Sequence, residues 1–136
     1  MPATAFIAGL AHIPDTNGRL LMLKTERGWR LPGGPALPEE TARHAVAYHV
    51  RRDLQIRIAP RFLLGVETSG TGLTAYLFAC DSLNADDIAR IKLPSVGSNI
   101  TAFAFVDYPG ITEGSVADHE HRLIIEAAAA LGTGAP

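Results

Sequence analysis

The chain has 136 residues, of which 47% are hydrophobic and 19% are charged, and its formal net charge is −2. This length and composition predict one globular domain over residues 1–136 and argue against a disordered chain. A nearly neutral chain gives no electrostatic reason to expect nucleic-acid binding. No apolar run approaches the roughly 20 residues of a membrane helix, and a single cysteine, Cys80, allows no internal disulfide. We therefore expect a cytoplasmic protein that does not contact a membrane.

Apolar segments separated by turn residues predict strands in the first quarter of the chain. Residues 4–13 and 19–25 are expected to be strands, and the Asn-Gly pair within the turn at 15–18 is typical of a hairpin between them. A third strand is expected to begin at Trp29. His12, near the end of the first strand, is interpreted as a hydrogen-bonded structural histidine.

A helical pattern then runs from about Pro38 to Leu54. Pro38 suits a first helical turn, where its missing N–H has no partner, and Glu39 and Glu40 would lie at the positive end of the helix dipole. The apolar residues of this segment recur with helical spacing and predict one buried face. His49 and Asp53 lie at the border of that face.

The second half of the chain alternates between strand and helix patterns. His119, Glu120 and His121 are expected at an exposed helix start, and Cys80 is expected to be a buried, unreactive thiol. The expected elements are strands within 55–66, 73–80 and 100–107, a short helix at 84–91, a last helix at 119–131 and a loose tail at 132–136.

One stretch resembles a known family. The sequence Trp-Arg-Leu-Pro-Gly-Gly at 29–34, followed by Glu40 and the predicted helix, is similar to the start of the Nudix box of the Nudix hydrolase superfamily. The family pattern is a glycine, five residues, a glutamate, seven residues, and then Arg-Glu-aliphatic-x-Glu-Glu-x-Gly-aliphatic. The resemblance implies the Nudix fold, an α/β architecture in which a mixed β-sheet is sandwiched between helices (α/β/α).

The second half of the box departs from the pattern. Without gaps, Tyr48 takes the place of the arginine, His49 and Arg52 replace two glutamates, Gln55 replaces the glycine, and only Asp53 keeps an acidic group. In the family the carboxylates hold Mg²⁺ or Mn²⁺, which neutralises a diphosphate and activates the attacking water. Hard cations need several oxygen ligands that converge on one point. The usual three-carboxylate cluster therefore cannot form here.

Three interpretations of the altered cluster stay open at this point. His49 and Asp53 share a helix face at a spacing of four residues and could hold one metal together. Arg52, with Arg51 beside it, could instead replace the metal, because a guanidinium grips phosphate oxygens with two parallel hydrogen bonds. In the third interpretation the site has decayed, and all four residues belong to a solvated surface.

The candidate site residues follow from the box and its surroundings. His49, Asp53 and Glu67 are the candidate catalytic residues, with Glu67 as an acid recruited from outside the box, and Glu40 is expected to support the box structurally. No metal is expected; if one binds, His49 and Asp53 are its candidate ligands. The candidate ligand-binding residues are Trp29, Arg30, Gly33, Gly34, Arg51 and Arg52.

These residues lead to three functional hypotheses. The first is a Nudix-superfamily protein that binds a small phosphorylated or nucleotide-like ligand, with weak, altered or absent diphosphate hydrolase activity. The second is a non-catalytic ligand-binding or regulatory module. The third is a metal-independent biosynthetic enzyme, of the isomerase or cyclase type, that uses His49 and Asp53. A small molecule is the expected partner, Mg²⁺ or Mn²⁺ is expected only if hydrolase activity remains, and a homodimer is left open.

Overall fold

The computed structural model describes residues 6–93 and 96–132. Within these residues the chain forms seven strands, three α-helices and a 3-10 turn at Tyr108–Gly110. The helices are α1 (Ala42–Leu54), α2 (Ala85–Ala89) and α3 (Asp118–Leu131). The strands are β1 (Phe6–His12), β2 (Leu20–Thr25), β3 (Gly28–Arg30), β4 (Gly33–Pro35), β5 (Pro60–Thr68), β6 (Leu73–Cys80) and β7 (Ala102–Val106).

The strands form two sheets. The four-stranded sheet has the order β4-β1-β6-β5, and it is mixed because β1 is parallel to β6 but antiparallel to β4. The three-stranded sheet has the order β3-β2-β7 and is antiparallel. The loop at 31–32 between β3 and β4 therefore carries the chain from one sheet to the other. Gly33 and Gly34, here called the glycine turn, follow this crossing as the first two residues of β4.

Helices cover the four-stranded sheet. Helix α1 packs against β1 and β4, and α3 packs against β5. The approach of α1 is so close that a Cβ atom on Gly9 would lie 1.9 Å from the carbonyl oxygen of Ala42. The predicted mixed sheet between helices is confirmed. Because α1 packs on β1 and β4, these two strands determine where the C-terminal end of α1 lies.

The predicted hairpin between the first two strands is only local. Asp15 accepts hydrogen bonds from the backbone of Asn17 and Arg19, and the N–H of Leu21 donates to the carbonyl of Ile13 over 2.9 Å. Beyond this point β1 and β2 join different sheets. The Asn-Gly signal identified the turn correctly, but a local turn signal does not determine the partners of the strands that follow it.

Helix α1 begins later than the sequence pattern predicts. Thr41 is the N-cap, because its side chain accepts from the N–H of His44 over 3.0 Å, and the first helical residue is Ala42. Glu40 caps the preceding turn instead and accepts from the N–H of Leu37 over 2.9 Å. The predicted start at Pro38 is therefore wrong, since a threonine offered the stronger N-cap three residues later.

The later elements lie close to their predicted positions. Strand β6 matches residues 73–80, and α3 begins at Asp118 and ends before Gly132, whose φ of 68° provides the left-handed cap. Residues 94–95 of the predicted loop, residues 133–136 of the predicted tail and the first two residues of the expected strand at 4–13 lie outside the described residues. No helix in the described part of the chain has the length and apolarity to cross a membrane.

Candidate functional site

A cleft of about 590 Å³, here called the main cleft, opens beside the glycine turn. Its volume lies within the range of small-molecule sites. Strand β1, the glycine turn, the end of α1 and the start of α3 contribute to its walls. The lining residues are Ala8, Leu10, Arg30, Gly33, Gly34, Pro35, His49, Arg52, Leu73, Gly97, Asn99, His119 and Glu120.

The glycine turn is shaped by close backbone and ring contacts. Gly33 has a φ of +126°, and a Cβ there would lie 2.1 Å from the carbonyl oxygen of Gly9. A Cβ on Gly34 would lie 2.8 Å from the imidazole of His49. Only glycine accommodates both the backbone angle at the first position and the ring contact at the second. The turn and the helix are thus fixed against each other at the floor of the main cleft.

Asp53 lies at the centre of an ionic cluster beneath the main cleft. Its side chain is 0% exposed, Arg30 Nη2 lies 3.4 Å from Oδ2, and Arg52 Nε lies 3.2 Å from Oδ1. Arg30 also donates through Nη1 to the carbonyl oxygens of Leu31 and Gly33, over 3.2 and 3.0 Å. Two guanidinium groups therefore share one carboxylate, and the cluster carries a net positive charge at the edge of the cleft.

His49 is buried but is not oriented by Asp53. Its Nε2 lies 2.8 Å from the carbonyl oxygen of Pro35, and because a carbonyl only accepts, this nitrogen carries the proton. Its Nδ1 is buried without a hydrogen-bond partner in the described residues. Both oxygens of Asp53 face arginines, so the two side chains do not pair. The interpretation of His49 and Asp53 as solvated surface residues is wrong, since neither is more than 7% exposed.

The other candidate residues are distributed around the site. Arg52 lines the main cleft, whereas the neighbouring Arg51 is exposed and does not line it. Glu67, on β5, accepts from Arg122 Nε of α3 over 2.7 Å and also lies outside the cleft lining. Glu40 pairs with His44 over 2.8 Å in the turn before α1, a position that suits a structural role. Their functional roles stay predictions.

Trp29 lies beside the main cleft. It is half-buried on β3 and packs against the core, and the amine of Lys24 lies 5.9 Å from its ring centroid. A second hollow of about 250 Å³, here called the side hollow, adjoins this ring. The side hollow shares three lining residues with the main cleft and therefore lies directly beside it. Its lining residues are Thr25, Arg27, Gly28, Trp29, Arg30, Asn99, Ala117 and Glu120, of which Arg30, Asn99 and Glu120 are shared.

Glu120 is the residue that the sequence analysis placed incorrectly. It is 8% exposed, and its Oε1 accepts from the N–H of Leu31 over 2.7 Å. Burial raises the pKa of Glu120 to about 7, although the Leu31 N–H and the nearby charge of Arg30 act in the opposite direction. An acid with a pKa near neutrality inside a cleft is typical of functional sites.

Helical spacing could have identified Glu120. The buried residues Leu123, Ile124 and Ala127 follow it at three, four and seven positions, which places all four side chains on one face of α3. The prediction of an exposed helix start at this position is therefore wrong for Glu120. His119 does line the main cleft, and burial, together with the charge of Arg122, lowers its pKa.

The residues in and below the main cleft do not fit a divalent cation. No group of three or more His, Cys, Asp or Glu side chains converges within residues 6–93 and 96–132 in a way that could hold a metal. The buried Asp53 is bonded by two cations, and Glu120 by a backbone N–H. A dication bound at Asp53 would lie next to the guanidinium groups of Arg30 and Arg52, and like charges repel.

Comparison with solved structures identifies the architecture. No protein-family model and no curated protein matches the sequence. The MutT protein of Methanosarcina mazei Go1 superposes with a TM-score of 0.70 at 17% identity, over 96% of this chain and 98% of that one. A MutT Nudix hydrolase of Burkholderia pseudomallei gives 0.71 at 18% identity, over 91% and 98%. An ADP-ribose pyrophosphatase of Streptococcus suis 89-1591 gives 0.68 at 15% identity, over 92% of each chain.

Proposed function

Because this chain has the Nudix fold, we propose that it binds a small phosphorylated or nucleotide-like ligand in the main cleft without a divalent cation and does not carry out Mg²⁺-dependent diphosphate hydrolysis. The observation that carries the proposal is the cluster in which Arg30 and Arg52 enclose the fully buried Asp53. The arginines supply the positive charge that a dication supplies in Nudix hydrolases. Asp53 holds them in place.

The chemistry of the cluster supports an anionic ligand. A guanidinium binds phosphate oxygens through two parallel hydrogen bonds, and Arg52 lines the main cleft while its Nε bonds Asp53. Arg30 is oriented by Asp53 and by two backbone carbonyls. Guanidinium groups that are already oriented lose less conformational freedom when a ligand binds, which favours affinity.

Hydrolysis has weaker support in the site. Attack on a diphosphate requires a metal-bound or base-activated water. Asp53 is bonded by two arginines, and the unpartnered Nδ1 of His49 is buried away from solvent. The same contacts weaken the hypothesis of a His49/Asp53 acid-base pair, because Asp53 does not orient the imidazole. Binding without turnover is therefore the function we propose.

The proposal is tested by isothermal titration calorimetry with inorganic pyrophosphate and ADP-ribose in buffer that contains EDTA. We expect both probes to bind wild-type protein, and Arg52→Ala to weaken binding by at least about 10-fold, the value of one charge-assisted hydrogen bond. Arg51→Ala is the matched control, since Arg51 is adjacent in sequence but exposed outside the cleft. Urea unfolding of both variants separates lost contacts from lost folding.

Two results would contradict the proposal. One is binding that appears only after Mg²⁺ or Mn²⁺ is added, together with the release of phosphate products. The other is equal weakening by the Arg51 and Arg52 substitutions, which would move the anion site away from the main cleft.

A further inference from the structure

We propose that Glu120 determines ligand specificity by accepting hydrogen bonds from a planar, N–H-bearing heterocycle that lies in the side hollow while the anionic group of the same ligand lies at Arg52. The inference rests on the proposed anion-binding function and adds the other end of the ligand. It assigns a role to Glu120 that the resemblance to the Nudix box does not supply, since Glu120 is on α3, far from the box in sequence.

The position of Glu120 connects the two concavities. Glu120, Arg30 and Asn99 line both the main cleft and the side hollow. Oxygen Oε1 of Glu120 accepts a hydrogen bond from the N–H of Leu31 over 2.7 Å, so one of the two carboxylate oxygens is held in place. Among the described residues Oε2 has no hydrogen-bond partner, and it is not sealed from solvent. This oxygen is available to a ligand that spans both concavities.

The side hollow suits one flat ring. At about 250 Å³ it is smaller than a typical site for a whole ligand, so it accommodates only a fragment. The indole of Trp29 forms part of its wall, and aromatic surfaces favour planar partners. An ionised carboxylate only accepts hydrogen bonds, so a ring that presents neighbouring N–H donors is preferred over one that presents carbonyl oxygens.

The stability cost of ionising the buried Glu120 carboxyl also points to a functional role. A buried carboxyl whose only hydrogen bond is to a backbone N–H costs stability when it ionises, whereas a glutamine would make the same bond without a charge. A ligand donor that binds the ionised form would recover the energy lost on burial.

The test compares guanosine diphosphate with inosine diphosphate, which lacks only the exocyclic amino donor, and uses inorganic pyrophosphate as a probe without a ring. At pH 8 we expect wild-type protein to bind guanosine diphosphate about 10-fold more tightly than inosine diphosphate, the value of one hydrogen bond to a charged acceptor. In Glu120→Gln the ratio should fall to about 1. Glu113→Gln, at an exposed loop position, is the control that should retain the preference.

The pH dependence gives a second readout. The charged and titratable groups around Glu120 are Arg30 on β3, Arg27 in the side hollow and His119 on its own helix. Glu120→Gln retains all three of these groups. The preference for guanosine diphosphate should therefore diminish at pH 5.5 in wild-type protein, and the pH dependence should be absent in Glu120→Gln.

The outcomes distinguish failure of the role assigned to Glu120 from failure of the proposed anion-binding function. A ratio near 1 in wild-type protein, or an equal preference in wild type and Glu120→Gln, overturns the role of Glu120 while pyrophosphate binding upholds the proposed function. If pyrophosphate does not bind, the proposed function fails and the inference fails with it. Glu120→Asp, which keeps the charge but shortens the side chain, should lower the preference less than Glu120→Gln does.

Discussion

Two buried carboxylates near the same cleft have opposite surroundings. Asp53, at the end of α1, is bonded by the guanidinium groups of Arg30 and Arg52. Glu120, in the first turn of α3, is bonded by one backbone N–H. Asp53 is bonded by two guanidinium groups, whereas Glu120 makes no ion pair with the residues that the structure describes. Burial raises the pKa of Glu120 to about 7, although the nearby charge of Arg30 acts in the opposite direction.

The comparison separates Asp53, a charge with a structural role, from Glu120, whose protonation can change near neutral pH. A buried acid between two arginines keeps them oriented and is expensive to remove, because the cations would then be left without their partner. A buried acid without a cationic partner can gain or lose a proton near neutral pH and can respond to a ligand. We therefore assign the anchoring of the anion site to Asp53 and the selection of the ligand to Glu120.

The largest expected effect on stability comes from removing the Asp53 carboxylate. Asp53→Ala leaves two guanidinium groups without the carboxylate that holds them. Because the side chains of Arg30 and Arg52 are 25% and 36% exposed, we expect a loss at the low end of the range for a broken buried ion pair, about 3 kcal/mol in the free energy of unfolding. Urea denaturation followed by circular dichroism measures it. Asp81→Ala is the control, since Asp81 pairs with Arg61 on the surface, where an ion pair contributes little. Equal effects of the two substitutions would contradict the structural role of Asp53.

A smaller effect is expected from Glu120, which should make the free energy of unfolding depend on pH. The pKa of Glu120 in the folded protein, about 7, lies above the ordinary glutamate value of 4.5, so the folded protein retains a proton that the unfolded chain releases. The resulting stability is present at low pH and is lost as the pH rises through 7. Relative to Glu120→Gln, the wild-type free energy of unfolding should fall by on the order of 2 kcal/mol between pH 5 and pH 8.

Comparing the two proteins at each pH removes the contribution of His12, whose pKa burial lowers to about 4 in both. Chemical denaturation at half-unit pH intervals measures the difference curve. A curve that is flat between pH 5 and 8 would show that the Glu120 carboxyl is as well solvated as in the unfolded chain.

The smallest expected effect concerns the contact that positions α1. In Gly34→Ala the new methyl group would lie 2.8 Å from the His49 ring, so the ring or the helix must shift, at a cost near the low end of overpacking, about 1 kcal/mol. The shift should also weaken pyrophosphate binding, because Arg52 follows His49 on the same helix. Gly70→Ala, where a Cβ meets open space, is the matched control and should change neither property. An unchanged Gly34→Ala protein would show that α1 is not fixed by this contact.

Much of the fold could be predicted from local sequence signals. The alternating and apolar patterns located the strands, and Gly132 marked the end of α3. The pairing of strands was less accessible, because β1 and β2 are joined by an Asn-Gly turn yet belong to different sheets. The start of α1 was misjudged because Pro38 and two glutamates resemble a first helical turn, while the side chain of Thr41 provides the actual N-cap.

The candidate site was predictable only where its residues are close in sequence. The box placed His49, Arg52 and Asp53 together on one helix, but the pairing of Asp53 with Arg30 spans 23 positions and has no local signal. Glu120 joins Leu31 across 89 positions, and only its place on the apolar face of α3 indicated burial. Long-range pairing of polar groups is determined by the tertiary fold, and the sequence pattern does not encode it directly.

The central claim is that the arginines around Asp53 replace a divalent cation. It is tested most directly by titrating the protein into Mn²⁺ and following the six-line electron paramagnetic resonance signal of the hydrated ion. We expect the signal to persist undiminished when protein and Mn²⁺ are equimolar at about 100 μM, a concentration typical of weak dication sites. Loss of the signal with one Mn²⁺ bound per chain, and its recovery in Asp53→Asn, would contradict the account.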